Sequence, residues 1–304
     1  MRIGIDLGGT KIEVALLDKA GTVRFRQRIA APQQDYAATV TAVSELVKLA
    51  DSRAGDRVGA SVGIGIPGTI SPATGLVKNA NSTWLNGQPL DRDIESALGR
   101  PVRIANDANC FALSEAVDGA AAGAHSVFGV ILGTGVGGGL VVAGKVLTGA
   151  NAIAGEWGHN PLPWPTPAEV PGQECWCGMK GCIETWVSGP ALAHIHMKDA
   201  GESLTASQIA ENAAAGDTGA METMTRYENR LARALAHMIN IFDPEIIVLG
   251  GGLSNIARLY ENLPHLWTEW IFSDRVATRI VPPLHGDSSG VRGAAWLWQG
   301  DGAQ

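Results

Sequence analysis

The sequence predicts an α/β protein of two domains, each built on a βββαβα core, with a cleft between them. Three observations carry this. The chain has 304 residues, and domains of roughly 150 residues make that two. Its elements begin strand, strand, strand, helix, strand, unlike the strict βα alternation of a dinucleotide fold. A third signal is repetition: an apolar strand, a glycine–threonine turn and a second apolar strand occur twice, about 125 residues apart.

The elements follow in order. Arg2–Asp6 and Ile12–Asp18 run apolar around the turn Leu7-Gly-Gly-Thr-Lys11, and Asp18–Gly21 turns into a third strand over Thr22–Ile29. Tyr36–Ala50 places Val40, Val43, Leu46 and Val47 at helical spacing. Val58–Ile66 is a strand stopped by Pro67-Gly68, and a helix over Asp107–Ala122 lies near the domain boundary. Val127–Leu132, the loop Gly133–Gly139 and Leu140–Val142 then repeat the first hairpin. Helices over Glu184–Lys198 and Ala220–Phe242 precede a strand, Glu245–Leu249, that runs into Gly250-Gly251-Gly252 and a further helix. A last helix around Ser289–Trp298 returns to the first domain. The expected division is 1–110 with 288–304 as the small domain, and 111–287 as the large one.

Composition excludes several classes. Apolar residues make up 45% and charged residues 17%, enough to bury a large core and too apolar for disorder. Lys and Arg number 23 against 30 Asp and Glu, giving −7 with no basic run, so nucleic acid is not an expected partner. Val127–Gly144 is uncharged over 18 residues, but seven of them are Gly; strand, turn, strand fits better than a membrane span. Arg2 leads straight into Ile3–Asp6 without an apolar leader, so the expected location is the cytoplasm, with no membrane contact.

Two glycine turns suggest phosphate. Gly133-x-Gly135-x-x-Gly138 matches the dinucleotide fingerprint but continues as a strand, where that fingerprint must open a helix. No Walker A sequence is present. A turn such as Gly8-Gly9-Thr10 exposes backbone N–H groups, and the Thr hydroxyl and Lys11 add donors. The Gly133-Thr134-Gly135 turn is expected to face it, with Asp6 holding Mg²⁺ through water. Either turn alone is an ordinary hairpin; two of matched form, with Gly250–Gly252 as a third glycine run, favour a triphosphate. His159, Cys175, Cys177 and Cys182 form a separate cluster. These are four soft or borderline ligands, the set that a closed tetrahedral Zn²⁺ site takes. Reduced thiols and a Cys175–Cys182 disulfide are the alternatives, and a reducing compartment favours metal over the bridge.

Taken together, Ile5-Asp-Leu-Gly-Gly-Thr-Lys11, Asn106-Asp-Ala-Asn-Cys110, Leu132-Gly-Thr-Gly-Val-Gly-Gly-Gly139, Gly155-Glu-Trp-Gly-His159 and Cys175-x-Cys177-Gly-x-x-Gly-Cys182-x-Glu184 resemble the ROK family. That family lies within the actin-like ATPase superfamily of sugar kinases, and the resemblance covers essentially the whole chain. It implies the actin-like ATPase (ribonuclease H-like) fold and transfer of phosphate from ATP, with Mg²⁺, to a hexose. Such a transfer needs an oriented hydroxyl, a neutralised triphosphate and a late acceptor for the hydroxyl proton. By resemblance Asp107 is that acceptor, although a helix-opening Asp is on its own a plain cap. Asn106, Asp107, Glu156, His159 and Glu184 match residues that hold the sugar. Asp6, Gly8, Gly9, Thr10, Lys11, Gly133, Thr134, Gly135, Gly250, Gly251 and Gly252 are expected around ATP and Mg²⁺. The family also implies a structural Zn²⁺ on His159, Cys175, Cys177 and Cys182, with His159 turned to both metal and sugar, and a homodimer.

Within the family, Lys78–Gly87 and His285–Trp296 look like the manno(fructo)kinase branch. The expected substrate is therefore D-fructose, phosphorylated to fructose 6-phosphate, with mannose also accepted and Asn81 and Trp84 near the sugar wall. Glucokinase and N-acetylglucosamine kinase share every other motif and are the alternatives. Some family members are transcriptional regulators with a winged helix before this core; a first strand at residue 2 leaves no room for one.

Overall fold

The structure is a computed structural model that describes residues 1–54 and 59–299. Along the chain run β1 (Arg2–Leu7), β2 (Lys11–Leu17), β3 (Val23–Ala30), α1 (Tyr36–Arg53), β4 (Ser61–Ile66), β5 (Thr69–Ile70), β6 (Val77–Lys78), α2 (Leu90–Leu98), β7 (Val102–Asn106) and α3 (Asp107–Val117). There follow β8 (Ser126–Leu132), β9 (Val136–Val142), β10 (Lys145–Val146), α4 (Glu184–Val187), α5 (Gly189–Ala200), α6 (Ala206–Ala214) and α7 (Thr218–Phe242). The chain ends with β11 (Ile246–Gly250), α8 (Ala257–Leu266), β12 (Arg279–Val281) and α9 (Ser289–Trp296).

Two compact units result. The first is Met1–Gly123 with Gly139–Ala154 and Leu284–Gln304; the second is Ala124–Gly138 with Gly155–Pro283. The expected split put 111–123, 139–154 and 284–287 on the other side. Residues 111–117 stay with the first unit because α3 is one continuous helix, buried from Ala108 to Ala116.

The first sheet has the order β3-β2-β1-β4-β7, with an antiparallel β1–β2–β3 meander and parallel β4 and β7. Alternation sorts its side chains: Ile3, Ile5, Ile12, Val14, Val62 and Ile64 meet Val43, Leu46 and Val47 of α1. Asp35 caps α1, its carboxylate accepting from the Ala38 N–H at 2.9 Å. The opposite face carries α3 and α9 on a floor of missing side chains. A Cβ on Gly4 would lie 1.9 Å from the Val291 carbonyl oxygen, and one on Gly63 1.9 Å from that of Ala294. On Gly293 it would meet the Cys110 carbonyl oxygen at 1.7 Å. The returning chain is pinned by Glu115 of α3, which is fully buried. Its carboxylate accepts from the N–H groups of Ala120 (2.9 Å), Leu284 (2.9 Å) and His285 (3.2 Å) and from the Ser289 hydroxyl (2.7 Å).

The second sheet has the order β10-β9-β8-β11-β12. It matches the first sheet position for position, with β11 parallel to both β8 and β12. The duplicated core expected from the repeated hairpin is therefore present. The long helix α7 buries Met224, Tyr227, Leu231, Leu235 and Met238 at intervals of three and four. No helix among the described residues is long and apolar enough to cross a membrane, and Val127–Gly144 folds around β8 and β9.

Several elements differ from expectation. The loop Gly133–Gly139 is shorter: Gly137–Gly139 lie inside β9, where a Cβ on Gly138 would sit 2.8 Å from both the Phe128 and Trp157 rings. The helix over Glu184–Lys198 is broken at Ser188, whose hydroxyl caps α5 ahead of Pro190. Gly252 opens a 3-10 turn, Gly252–Asn255, rather than an α-helix. The helix from Asp107 ends at Val117, and the last helix ends at Trp296. The expected strand start at Val58 and the tail 300–304 lie outside the described residues.

Gly63→Ala tests the floor under α9. Its Cβ has nowhere to go without moving backbone, so a loss of about 3 kcal/mol is expected, read as a lower urea midpoint with the slope unchanged.

Candidate functional site

In the first unit, the expected phosphate turn joins β1 to β2, closed by the Gly8 N–H donating to the Lys11 carbonyl at 2.9 Å. Asp6, the last polar residue of β1, pairs across the strands with Glu13. Burial, then the Glu13 charge, push its carboxyl above the ordinary Asp range, with Lys11 and Arg28 opposing. Glu13 itself is buried. Burial raises its pKa, but hydrogen bonds from Arg26 and Arg28 outweigh that and hold it low. This trio is absent from the sequence reading; the signal was there in Arg24, Arg26 and Arg28 alternating along β3, two of them beside Glu13.

Asn106 ends β7 and caps α3. Its side-chain oxygen accepts from the Ala108 N–H at 2.9 Å, and its amide donates to the Gly68 carbonyl at 3.3 Å. Asp107 is therefore the first helical residue rather than the cap. Its carboxylate accepts from the Ala108 N–H at 2.8 Å and is exposed. Beneath it, burial and then the charges of Asp6 and Asp107 raise the Cys110 thiol. The strand register brings Asp6, Asn106 and Asp107 into one neighbourhood: on β4, Gly65 pairs with Asp6 and Ile66 with Asn106.

In the second unit, the Gly133-Thr134-Gly135 turn is closed by the Gly133 N–H on the Gly135 carbonyl at 3.0 Å. Gly133 in turn accepts from the Gly189 N–H at the start of α5, at 2.8 Å. Glu184 packs against this turn: one carboxylate oxygen accepts from the Val136 N–H at 2.9 Å, the other from the Trp176 indole at 2.8 Å. Glu156 precedes the 3-10 turn Trp157–His159, and His159 is its last residue. Gly250 ends β11, and Gly251 and Gly252 lie exposed just beyond it. A cavity of about 290 Å³ is lined by Thr134, Cys175, Trp176, Glu184, Ser188 and His194, among others.

The four soft ligands converge. His159, Cys175, Cys177 and Cys182 offer atoms that all lie within 4.8 Å of one another. Zn–S and Zn–N bonds of about 2.3 and 2.0–2.1 Å in a tetrahedron require edges of about 3.8 Å between sulfurs and about 3.6 Å from sulfur to nitrogen. Cys177 and Cys182 are 3.7 Å apart, and Cys175 lies 3.6 Å from His159 Nδ1. Burial, then Cys177 and Cys175, push the Cys182 thiol up to about 12. The donor set and its spacing are compatible with a structural Zn²⁺.

Trp84 is half-buried against the core of the first unit, its indole N–H directed at the Thr39 hydroxyl at 3.4 Å. Trp157 is buried edge-on against Phe128 with its N–H on the Gly137 carbonyl at 2.9 Å.

The ROK family profile matches residues 2–301. The chain belongs to the ROK family. The expectation of a ROK sugar kinase with an actin-like ATPase fold is met. An N-acetyl-D-glucosamine kinase of Aliivibrio salmonicida is 42% identical over 301 residues, 98% of this chain and 99% of that protein. A ROK hexokinase from Thermus thermophilus has a TM-score of 0.85 at 30% identity, covering 97% of each chain. A ROK glucokinase from Streptomyces griseus, solved with glucose and AMPPNP, has a TM-score of 0.75 at 27% identity, covering 97% of this chain and 98% of that one.

In this ROK chain, the segment before the cysteines is held by a buried ion pair that the sequence reading missed. Glu169 accepts from Arg233 at 2.9 and 3.0 Å and from Arg230 at 2.8 Å. Arg233 also donates to the Pro163 and Trp164 carbonyls, at 3.1 and 2.7 Å. Burial would raise the Glu169 carboxyl, but the hydrogen bonds from Arg233 and Arg230 hold it down to about 2. The folded value lies below the unfolded one of about 4.3. Its stabilisation is complete above that pH and is lost as pH falls towards 2. Glu169→Gln is expected to cost about 3–5 kcal/mol at pH 7 by stranding two arginines. In urea titrations the gap between variant and wild type narrows as pH falls from 4 towards 2.

Proposed function

We propose that this chain is an ATP-dependent N-acetyl-D-glucosamine kinase that phosphorylates the sugar at its 6-hydroxyl. The observation that carries the sugar is the end-to-end similarity to an N-acetyl-D-glucosamine kinase at 42% identity. It favours the alternative of the sequence reading over D-fructose. The Lys78–Gly87 segment still favours a fructokinase as the second reading.

In this reading Asp107 accepts the proton of the attacking hydroxyl. Its exposed carboxylate at the start of α3 suits a late proton transfer in a loose transition state, where positioning outweighs basicity. Asn106 positions it and binds sugar alongside Glu156, His159 and Glu184. Asp6, anionic only at a cost in its buried place, would gain from Mg²⁺, which neutralises phosphate charge when bound. The two glycine–threonine turns, Lys11 and Gly250–Gly252 are assigned to ATP. His159, Cys175, Cys177 and Cys182 would hold a structural Zn²⁺, whose chemistry is to fix the loop, not to react. A homodimer in the cytoplasm is expected.

A coupled ADP-release assay over a panel of hexoses tests the substrate. N-acetyl-D-glucosamine is expected to give the highest kcat/KM; a higher value for fructose selects the second reading and leaves the kinase chemistry intact. In the same assay, Asp107→Asn is expected to lower kcat by roughly 10²–10⁴ with little change in sugar KM.

The metal has its own test. Elemental analysis of purified protein is expected to find about one zinc per chain. Cys177→Ala is expected to lose that metal together with thermal stability, and full occupancy in this variant contradicts the assignment.

A further inference from the structure

Trp176 is the residue between two of the four soft ligands, and it is unusual among the large apolar side chains. Its ring is 72% exposed, an arrangement that a folding chain has no reason to favour for packing. Yet it is held at two points. Its indole N–H donates to Glu184 Oε1 at 2.8 Å, and its ring meets His159 edge to face, with centroids 5.0 Å apart. It also lines the cavity that Glu184 and Thr134 share.

The other donors around Glu184 show what this bond does. Oε2 is fixed by the Val136 backbone N–H. Besides Trp176, Oε1 is approached by the Cys175 sulfur at 3.9 Å, which can donate only as a thiol. The neutral indole N–H, at 2.8 Å against 3.9 Å for the sulfur, is the closer donor to that oxygen. A hydrogen bond to a charged acceptor is among the stronger kinds in a protein.

We propose that Trp176 is a positioning residue for sugar recognition: its indole N–H fixes the Glu184 carboxylate and so links the order of the Cys/His loop to sugar affinity. The proposal rests on the reading of Glu184 as a sugar ligand. It makes Trp176 no part of the chemistry, so binding should change while turnover does not. The residue between the cysteines is then chosen for a donor, and any ring without one is a poor substitute.

The test uses calorimetric titration with N-acetyl-D-glucosamine, steady-state kinetics and zinc analysis on the full chain. Trp176→Phe keeps a ring and removes the N–H. It is expected to weaken sugar binding about tenfold to a hundredfold, with kcat within about threefold, ATP KM unchanged and zinc content unchanged. Trp176→Phe combined with Glu184→Ala should bind no worse than Glu184→Ala alone, because loss of the carboxylate already breaks the bond. Sugar affinity unmoved in Trp176→Phe, or additive losses in the double variant, overturns the proposal. If Glu184→Ala itself binds sugar as wild type does, the assignment of Glu184 falls and the proposal falls with it. If Glu184→Ala weakens binding and Trp176→Phe does not, only the role of Trp176 falls.

Discussion

The first unit is organised by the contact of one helix backbone with one sheet. α9 lies so close to β1 and β4 that its carbonyls occupy the space of side chains at Gly4 and Gly63, and Gly293 gives α3 the same access from the side. Packing at that distance leaves no room for rotamer adjustment, so the position of α3 follows from it. Asn106 and Asp107, at the opening of α3, inherit that position. The rigidity of the candidate base therefore comes from glycines in three separate stretches of sequence rather than from residues beside it.

In the second unit the corresponding role falls to polar contacts. A buried Glu169 gathers Arg230 and Arg233 and, through Arg233, the carbonyls of Pro163 and Trp164. The cysteines then fold back on His159, and Glu184 follows two residues after Cys182. A segment with little regular structure is thus fixed at both ends, once by charge and once by soft ligands. Of the residues that the family resemblance assigns to the sugar, Glu156, His159 and Glu184 lie in this segment or beside it, whereas Asn106 and Asp107 open α3 in the first unit.

Much of this was legible in the sequence, and the limits have physical causes. The strands of both hairpins were readable because alternation and glycine turns are local signals, and the repeat gave the two matching sheets. The His/Cys cluster was readable as a group because its residue types and spacing are local, and its four ligand atoms do converge. What escaped were partners far apart in sequence: Glu13 with Arg26 and Arg28, Glu169 with Arg233, Glu115 with Leu284 and Ser289. Trp84 shows the same limit: its segment was distinctive, but the partner of its indole N–H is the Thr39 hydroxyl, 45 positions away. The helix break at Ser188 was missed because apolar periodicity ran on across it, while the cap and Pro190 that decide it are weaker signals.

The return of α9 has a consequence for how the protein is made. The first 123 residues leave the ribosome with one face of their sheet still waiting for Val291 and Ala294. Glu115 is then a carboxylate without three of its four donors. At about 5–20 residues per second, the missing helix follows roughly ten to thirty-five seconds later. Until then the nascent first unit is an open apolar surface that chaperones can bind, and the second unit is the one able to close during synthesis. A ribosome stalled between residues 154 and 289 releases a chain whose Gly8–Lys11 turn is complete in sequence while its sheet still lacks α9.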